Sequence, residues 1–374
     1  MKVALVHEFL TQFGGAEQVL LALKELFPDA PIYTLVYNPK TVGKWFGNYD
    51  IRTSWLQSLP MAKTKYRWYL LFMPWAIQSF DFSGYDLVIS DSSAFAKGVI
   101  TQKPTLHISY IHTPTRYLWT DEAFYRETAA PKLLQPLLKL VTPWLRSWDY
   151  QAVQRPDVLL ANSYTVAKRV RKYYHRTATP LHSFVNAKRF TIASASRRKP
   201  KPYYLLAGRI VPYKRYDIVI EAFKELGLPL VVAGDGWGMP QLKAKSSNVQ
   251  NIRFVGRVSD QQLAKLYAQC KAYIFPALED FGITPLEAMA SGRPVIAYGK
   301  GGATETILEG KTGIFFDKQT PKSVIQAIKR FEQIERVKPF NPRQIREHAL
   351  TFDKSVFKQR FKQVIKEITT TTDI

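Results

Sequence analysis

ALEDFGITPLEAMASGRPVIA (277–297) carries two glutamates, Glu279 and Glu287, eight positions apart, with Gly282 and Pro285 between them. Just ahead of it, AYIFPA (272–277) is a short apolar run, the pattern of a buried strand. Within it, Thr284-Pro285-Leu286-Glu287 has the marks of a helix start. Thr284 can cap, Pro285 suits the first helical position, and Glu287 stands where a capping-box carboxylate belongs. Gly292 closes that helix, Pro294 prevents its return, and PVIAY (294–298) is a second apolar run. The unit is strand, loop, helix, strand. On local grounds alone Glu287 is as readily a helix cap as a ligand, and Glu279 is a solvated loop carboxylate.

Outward from this unit, strand and helix signals alternate along nearly the whole chain, which argues for an α/β fold with parallel sheets. KVALVHEF, APIYTLVY, YDLVISD, LHISYIH and DVLLANS read as strands in the first half. GGAEQVLLALKELF reads as a helix whose apolar stripe is Val19, Leu20, Leu23 and Leu26. RFTIASASRRKPKPYY (189–204) has no period and reads as a linker region. The alternation then restarts with YYLLAGR, helix YDIVIEAFKEL, strands PLVVAGDG and NIRFVG, and helix SDQQLAKLYAQC, where Ser259 and Gln262 form a capping box. Two doubly wound domains follow, 1–188 and 189–350. A last helical stretch, 351–374, is expected to return to the first domain. Ligands of such sheets lie beyond the carboxyl ends of the strands, so the expected site is a cleft between the two domains.

A chain of 374 residues can bury two cores, and its 46% hydrophobic content excludes a disordered protein. Its one cysteine, Cys270, excludes an internal disulfide and sits where a core residue is expected. The N-terminus lacks the apolar stretch of a signal peptide, and no segment approaches the roughly 20 apolar residues of a spanning helix. The formal net charge of +23 calls for an anionic partner: nucleic acid, an acidic membrane surface or a phosphorylated substrate.

Three further motifs could carry chemistry. In FGGAEQ, Gly14 and Gly15 stand between the first strand and the first helix, where backbone amides can approach a phosphate. In GRIVPYKRYD, Arg209 and Lys214 follow a strand, a fork and a point charge suited to a diphosphate. In YIHTPTRY, His112 ends an apolar strand, a position from which it can donate, accept or shuttle a proton. Each has a plain alternative: a tight turn, solvated loop cations, a satisfied core histidine. His7 also ends a strand. No P-loop, no G-x-G-x-x-G, no serine elbow and no metal-ligand cluster is present.

Taken together, these motifs are similar to those of retaining glycosyltransferases with two Rossmann-like domains facing a cleft, the GT-B fold. EDFGITPLE matches their E-x7-E motif and GRIVPYK their arginine–lysine motif, with FGGAE and HTP in the expected order. The chain resembles glycosyltransferase family four, group one. VHEFL, GGAEQVL, YIHTPTRYLW, EDFGITPLEA and AYGKGGATETI resemble in particular the mannosyltransferases of bacterial O-antigen and exopolysaccharide assembly. The resemblance implies that Glu287 binds ribose hydroxyls and that Glu279 faces the donor sugar. Arg209 and Lys214 would hold the diphosphate, and the amides of Gly282, Ile283 and Thr284 would hold sugar and phosphate. Gly14 and Gly15 would approach the diphosphate, and His112 the donor sugar or the incoming hydroxyl. No metal or other cofactor is implied beyond a nucleotide-sugar donor such as GDP-mannose. One departure is Asn186, in SFVNAKRF, where relatives have an aspartate.

The charge has a further reading. RTSWLQSLPMAKTKYRWYLLFMPWAI (52–77) interleaves Lys63, Lys65 and Arg67 with Trp68, Tyr69, Phe72 and Trp75 and contains no acid. KLLQPLLKLVTPWLRSW (132–148) repeats the theme. Both suit helices lying in a membrane interface, where each cation near an anionic surface contributes about 1 kcal/mol. The expectation is a cytoplasmic protein, peripheral on the inner face of the membrane. It would transfer a hexose to a lipid-linked or polysaccharide acceptor in bacterial cell-surface glycan biosynthesis. A nucleotide-sugar epimerase-like enzyme or an inactive sugar-nucleotide-binding protein of the same fold are the alternatives.

Overall fold

The computed structural model describes residues 1–120, 135–193, 202–247 and 249–371. The chain divides into two compact units. One holds Met1–His182 and the chain from Lys358; the other is Ser183–Phe357. The sequence suggests a boundary after residue 188.

The first unit runs β1 (Val3–Leu10), α1 (Gly15–Leu26), β2 (Ile32–Tyr37), β3 (Ile51–Thr53), β4 (Leu87–Ser92), β5 (Leu106–Ile111), α2 (Gln135–Ala152), β6 (Val158–Ala161) and β7 (Thr179–Pro180). Its seven strands are all parallel, in the order β3-β2-β1-β4-β5-β6-β7. Parallel strands covered on both faces read as unbroken apolar runs, and Val3 to Val6 and Leu87 to Ile89 are buried without alternation. On α1, Val19, Leu20 and Leu23 are fully buried, each stabilising the unit by about 1.5–3 kcal/mol.

The second unit runs β8 (Tyr204–Ala207), α3 (Tyr216–Leu226), β9 (Leu230–Ala233), β10 (Ile252–Gly256), α4 (Asp260–Gln269), β11 (Ala272–Phe275), α5 (Ile283–Ala290), β12 (Val295–Tyr298) and β13 (Gly313–Phe316). Six parallel strands lie in the order β10-β9-β8-β11-β12-β13. Ser259 and Gln262 do form the expected capping box on α4, and Cys270 is a fully buried core residue. The chain ends in α6 (Lys354–Thr371). In the first unit, α6 buries Phe361, with its ring 6.4 Å from that of Tyr110, and pairs Lys358 with Glu25 at 3.0 Å.

Each sheet is Rossmann-like, and each reverses its strand order once. In the first unit the chain steps from β1 outward through β2 and β3, then returns to place β4 on the other side of β1. In the second it steps from β8 through β9 and β10, then returns to place β11 beside β8. At such a reversal the adjoining loops leave in opposite directions and a crevice opens at the strands' carboxyl ends.

Local readings differ at two places. α5 begins at Ile283, with Gly282 as its N-cap in the left-handed region at φ +86°. Thr284 is therefore inside the helix, Pro285 is its third residue, and Glu287 caps nothing. A glycine conformation that turns the chain directly out of the loop replaces the side-chain cap. Residues 52–77 are not one interfacial helix. They break into short turns at 55–58, 62–65, 66–72 and 73–78, with Pro60 and Pro74 interrupting and Met61 at φ +55°. Lys63, Lys65, Arg67, Trp68 and Trp75 are nonetheless all exposed. α2 is a helix, as expected, with Pro143 inside it. Of the linker reading, residues 194–201 lie outside the described residues, as do 132–134 of the second basic stretch.

Asn186 stands at the start of a short helical turn, Ala187–Arg189. The carboxylate at this turn comes from Asp353, whose Oδ2 accepts the Ala187 N–H at 3.1 Å. Arg346 binds the carbonyls of Phe190 and Ala290 beside it. The turn thus keeps an acidic partner although position 186 does not supply one.

Candidate functional site

The reversal between β8 and β11 brings together the motifs that sequence separates by some seventy positions. Beyond β8, the chain passes Arg209 and reaches Lys214 in a short turn, Pro212–Lys214, before α3. Beyond β11 it passes Glu279 and reaches Gly282 and α5. Lys214 Nζ lies 2.9 Å from Glu279 Oε1, and both side chains are mostly buried. Burial alone would push the Lys214 ammonium down. The adjacent Glu279 carboxylate outweighs it and holds the group above the usual lysine range, so Lys214 is a fixed cation. Arg209 is exposed, with Nη2 3.5 Å from the Tyr213 hydroxyl.

α5 presents its first amides with no side-chain cap over them. These are orphan donors at the positive end of a helix, an arrangement suited to an anion. Thr284 Oγ1 lies 2.9 Å from the Tyr273 hydroxyl, which also lies 3.0 Å from the Ala207 carbonyl. Tyr273 of β11 thereby ties the start of α5 to the end of β8. One turn further, Glu287 accepts a hydrogen bond from the Tyr267 hydroxyl of α4 at 3.0 Å. Burial pushes its carboxyl up to about 7, only partly opposed by Tyr267 and Arg189. A further pair of glycines, Gly301 and Gly302, follows β12. A Cβ on Gly302 would overlap the Phe281 backbone, and its N–H donates to the Glu279 carbonyl at 2.9 Å. The loop after β12 therefore braces the loop that carries Glu279.

The reversal between β1 and β4 is filled differently. His7 and Asp91 face each other in register across the two strands. His7 Nδ1 is 2.9 Å from Asp91 Oδ2, and His112 Nε2, just past β5, is 2.5 Å from Asp91 Oδ1. Asp91 is fully buried. Burial would push both imidazoles down, and Asp91 reverses this, so each is raised above its usual range. Gly14 is the N-cap of α1 and Gly15 its first residue. The Gly14 N–H is committed to Glu17 Oε2 at 2.7 Å, which corrects the expectation that this amide is open to a phosphate.

Residues 188–348 match the family model for glycosyl transferases, group 1, and residues 13–189 that of Glycosyltransferase Family 4. The chain belongs to the group 1 glycosyltransferases. Over 177 residues it is 33% identical to a GDP-mannose-dependent monoacylated alpha-(1-6)-phosphatidylinositol monomannoside mannosyltransferase of Corynebacterium glutamicum, covering 40% of this chain and 46% of that one. The chain spans about half or less of the length of the curated relatives it matches. Its fold is shared with two-domain GT-B structures. The sucrose-phosphate synthase of Thermosynechococcus elongatus superposes with a TM-score of 0.76 at 16% identity, over 99% of this chain and 100% of that one. HepE of Anabaena, in complex with UDP, superposes with a TM-score of 0.72 at 16% identity, over 98% and 100%.

Of the residues sequence singles out in this glycosyltransferase, the β8–β11 crevice joins Lys214 to Glu279, with Arg209 on the loop after β8. Gly282 is the N-cap of α5, Ile283 and Thr284 are its first two residues, and Glu287 is its fifth. Gly14, Gly15 and His112 belong to the other unit. Sequence reasoning misses Tyr267, Tyr273, Gly301, Gly302 and Asp91. The glycine pair in GKGG was a visible signal. The tyrosines and the aspartate were not, because each sits in or beside an apolar run and reads as core.

Proposed function

We propose that this protein is a retaining glycosyltransferase. It moves a hexose from a nucleotide-sugar donor to a lipid-linked or polysaccharide acceptor of the bacterial cell surface, with mannose from GDP-mannose as the preferred donor. The observation that carries the reading is the Lys214–Glu279 contact at the β8–β11 reversal, beside Arg209 and the uncapped start of α5. When the sugar–phosphate bond breaks, positive charge grows on the anomeric carbon and negative charge on the leaving diphosphate. Lys214, Arg209 and the α5 amides are fixed donors for that negative charge. They act more strongly in the transition state than in the ground state, and no metal is needed for this role. Glu279 meets the sugar hydroxyls and Glu287 the ribose. The acceptor oxygen bonds to the anomeric carbon on the face the phosphate leaves, and the acceptor's proton passes to the departing phosphate. His112 of the first unit is assigned to the donor sugar or the incoming hydroxyl.

The mannose reading draws support from the GDP-mannose-dependent relative of Corynebacterium glutamicum. The UDP held by HepE makes UDP-sugars the competing donors. A thermal-shift and calorimetric panel of GDP-, UDP- and ADP-sugars distinguishes them. GDP-mannose alone giving a strong shift supports the reading, and a shift from UDP-sugars alone replaces mannose from GDP-mannose with a UDP-linked hexose.

The first unit supplies a surface for the membrane. Trp55, Phe72, Trp75 and Trp144 form a chain of exposed rings with centroids 6.3, 6.3 and 5.4 Å apart. Lys63, Lys65, Arg67 and the exposed Trp68 lie on the same stretch of chain, with Lys65 Nζ 5.9 Å from the Trp68 ring. Among the described residues no helix is long and apolar enough to cross a membrane. Peripheral attachment on an anionic inner leaflet uses both the rings and the cations.

A further inference from the structure

The buried groups at the β1–β4 reversal form one continuous polar chain. It runs from the Gly14 N–H to Glu17 Oε2 (2.7 Å), from Glu17 Oε1 to His7 Nε2 (3.7 Å), from His7 Nδ1 to Asp91 Oδ2 (2.9 Å), and from Asp91 Oδ1 to His112 Nε2 (2.5 Å). Glu17, His7 and Asp91 are at most 5% exposed, and only His112 reaches the surface. We propose that Asp91 is a positioning residue that, backed by His7 and Glu17, holds His112 as an imidazolium with Nε2–H directed at Asp91 and Nδ1–H as the donor offered to a ligand.

The stoichiometry of the cluster supports this. Two carboxylates alternate with two imidazoles, so the arrangement closes on itself electrically only when both rings carry a proton. A neutral pair of rings would leave Asp91 and Glu17 as two buried anions a few ångströms from one shared histidine, an arrangement burial penalises heavily. Each Asp91 oxygen is occupied by one ring, which fixes the rotation of both. The groups facing His112 from neighbouring elements are Asp91 of β4, His7 and Glu8 of β1, and the Tyr110 ring of β5, 5.2 Å away edge-on. Glu8 is turned to other work: its Oε1 accepts from Ser92 Oγ and from the amides of Ser93, Ala94 and Ala96. His7 opposes a second charge on His112, and both carboxylates favour it. The net direction for both rings is upward from 6.5.

Glu17 does two things in this chain. One oxygen ends the α1 turn by taking the Gly14 amide, and the other faces His7. The glycine turn and the orientation of His112 are therefore mechanically linked, and a change at Glu17 is felt at His112 without contact between them. If the transferase reading holds, the histidine assigned to the donor sugar or the incoming hydroxyl carries a positive charge at every pH below its raised midpoint.

The test uses the ligand-free full chain, so its outcome does not depend on the transferase reading. Histidine-labelled protein is titrated by ring nitrogen–proton correlation spectroscopy, with His112 assigned by His112→Gln. The expected result is a His112 ring protonated on both nitrogens at pH 6, with a midpoint above 6.5. In Asp91→Asn the midpoint falls below the wild-type value. In His7→Gln it does not fall, because a neighbouring positive charge has been removed. A His112 ring already neutral at pH 6 in the wild type overturns the proposal, whatever the variants do. So does an Asp91→Asn protein with a native spectrum and an unchanged midpoint. Once a donor is known, the alkaline limb of kcat in Asp91→Asn should move to lower pH while the donor KM changes less than twofold. A structural role for Asp91 alone would lower the amount of folded enzyme and leave the limb in place.

Discussion

The two sheets reverse strand order in the same way, and the residues that fill the two crevices have opposite characters. At β1–β4, every polar atom of the His7–Asp91–Glu17 group answers to another within the unit, and only His112 faces outward. At β8–β11, Lys214 and Glu279 also pair, but beside an exposed Arg209 and a helix start with no side-chain cap. The first crevice is closed by its own charges, and the second keeps donors in reserve. The same topology therefore yields one site that orients a side chain and another that can receive an anion. The difference lies in whether the donors at the crevice are already taken by neighbouring carboxylates, not in the fold.

Breaking the closed side should cost stability, and breaking the open side should cost activity. The largest expected effect is at Asp149 of α2, whose carboxylate takes Lys97 at 2.6 Å and the Thr115, Trp119 and Tyr174 donors at 2.7 Å each. Asp149→Ala leaves Lys97 buried and unpaired, and should destabilise the first unit by about 3–5 kcal/mol in chemical denaturation. A loss under about 1 kcal/mol would show that the first unit is not held by its buried charges. Glu279→Gln, in the second unit, should cost less, because Lys214 is less deeply buried than Lys97 and glutamine still offers it an oxygen acceptor.

Next in size is Lys214→Ala. Turnover should fall about 10²–10³-fold, with a smaller rise in donor KM, because the charge Lys214 meets grows in the transition state. Steady-state kinetics showing unchanged kcat with only a weaker KM would make Lys214 a ground-state contact.

Glu287 sharpens the comparison through pH. Its carboxyl is pushed up to about 7, and on the proposed reading it accepts ribose hydroxyls in its ionised form. Donor affinity should rise by about tenfold from pH 6 to pH 8, and Glu287→Gln should remove that dependence in calorimetry. The raised value also means that the folded state binds the extra proton, so this residue's contribution to stability declines as pH climbs from 4.5 toward 7 and is level above it. Asp91 runs the other way. Its folded value is lowered while that of His112 is raised, so the pair's contribution is complete between about 3.8 and 6.5. It is lost below that window through Asp91 and above it through His112.

The smallest effect concerns the surface. Reversing the charge of Lys63, Lys65 and Arg67 should release most of the protein from anionic vesicles, and high salt only part of it, since screening acts on cations and not on the exposed rings. Donor affinity should not change. Equal vesicle binding by the reversed variant would assign the positive charge to another partner.

Much of this was legible in the chain itself. Helix bounds at 216–226 and the capping box at Ser259 followed from local pattern, and the strands of both sheets stood out as apolar runs. β3, β7 and β13 did not, since three residues, a two-residue edge with a proline, and a glycine-led run carry little periodicity. Around the site, glycines, cations and loop carboxylates announced themselves because those residue types have few other reasons to cluster. The Glu287 cap was a misreading: Gly282 starts α5 two residues earlier through its backbone, which a Thr-Pro-Leu-Glu pattern conceals. Asp91 was hidden within a strand, and His7, read as ending a strand, lies inside β1; only register across β1 and β4 makes them a pair.

The central claim is that the β8–β11 crevice binds a nucleoside diphosphate sugar. Isothermal titration of GDP-mannose into the wild type and into Lys214→Ala tests it most directly. A single site is expected in the wild type, with binding weakened at least about tenfold in the variant, the scale of one lost charge-assisted contact. Equal affinity in the two proteins would contradict it.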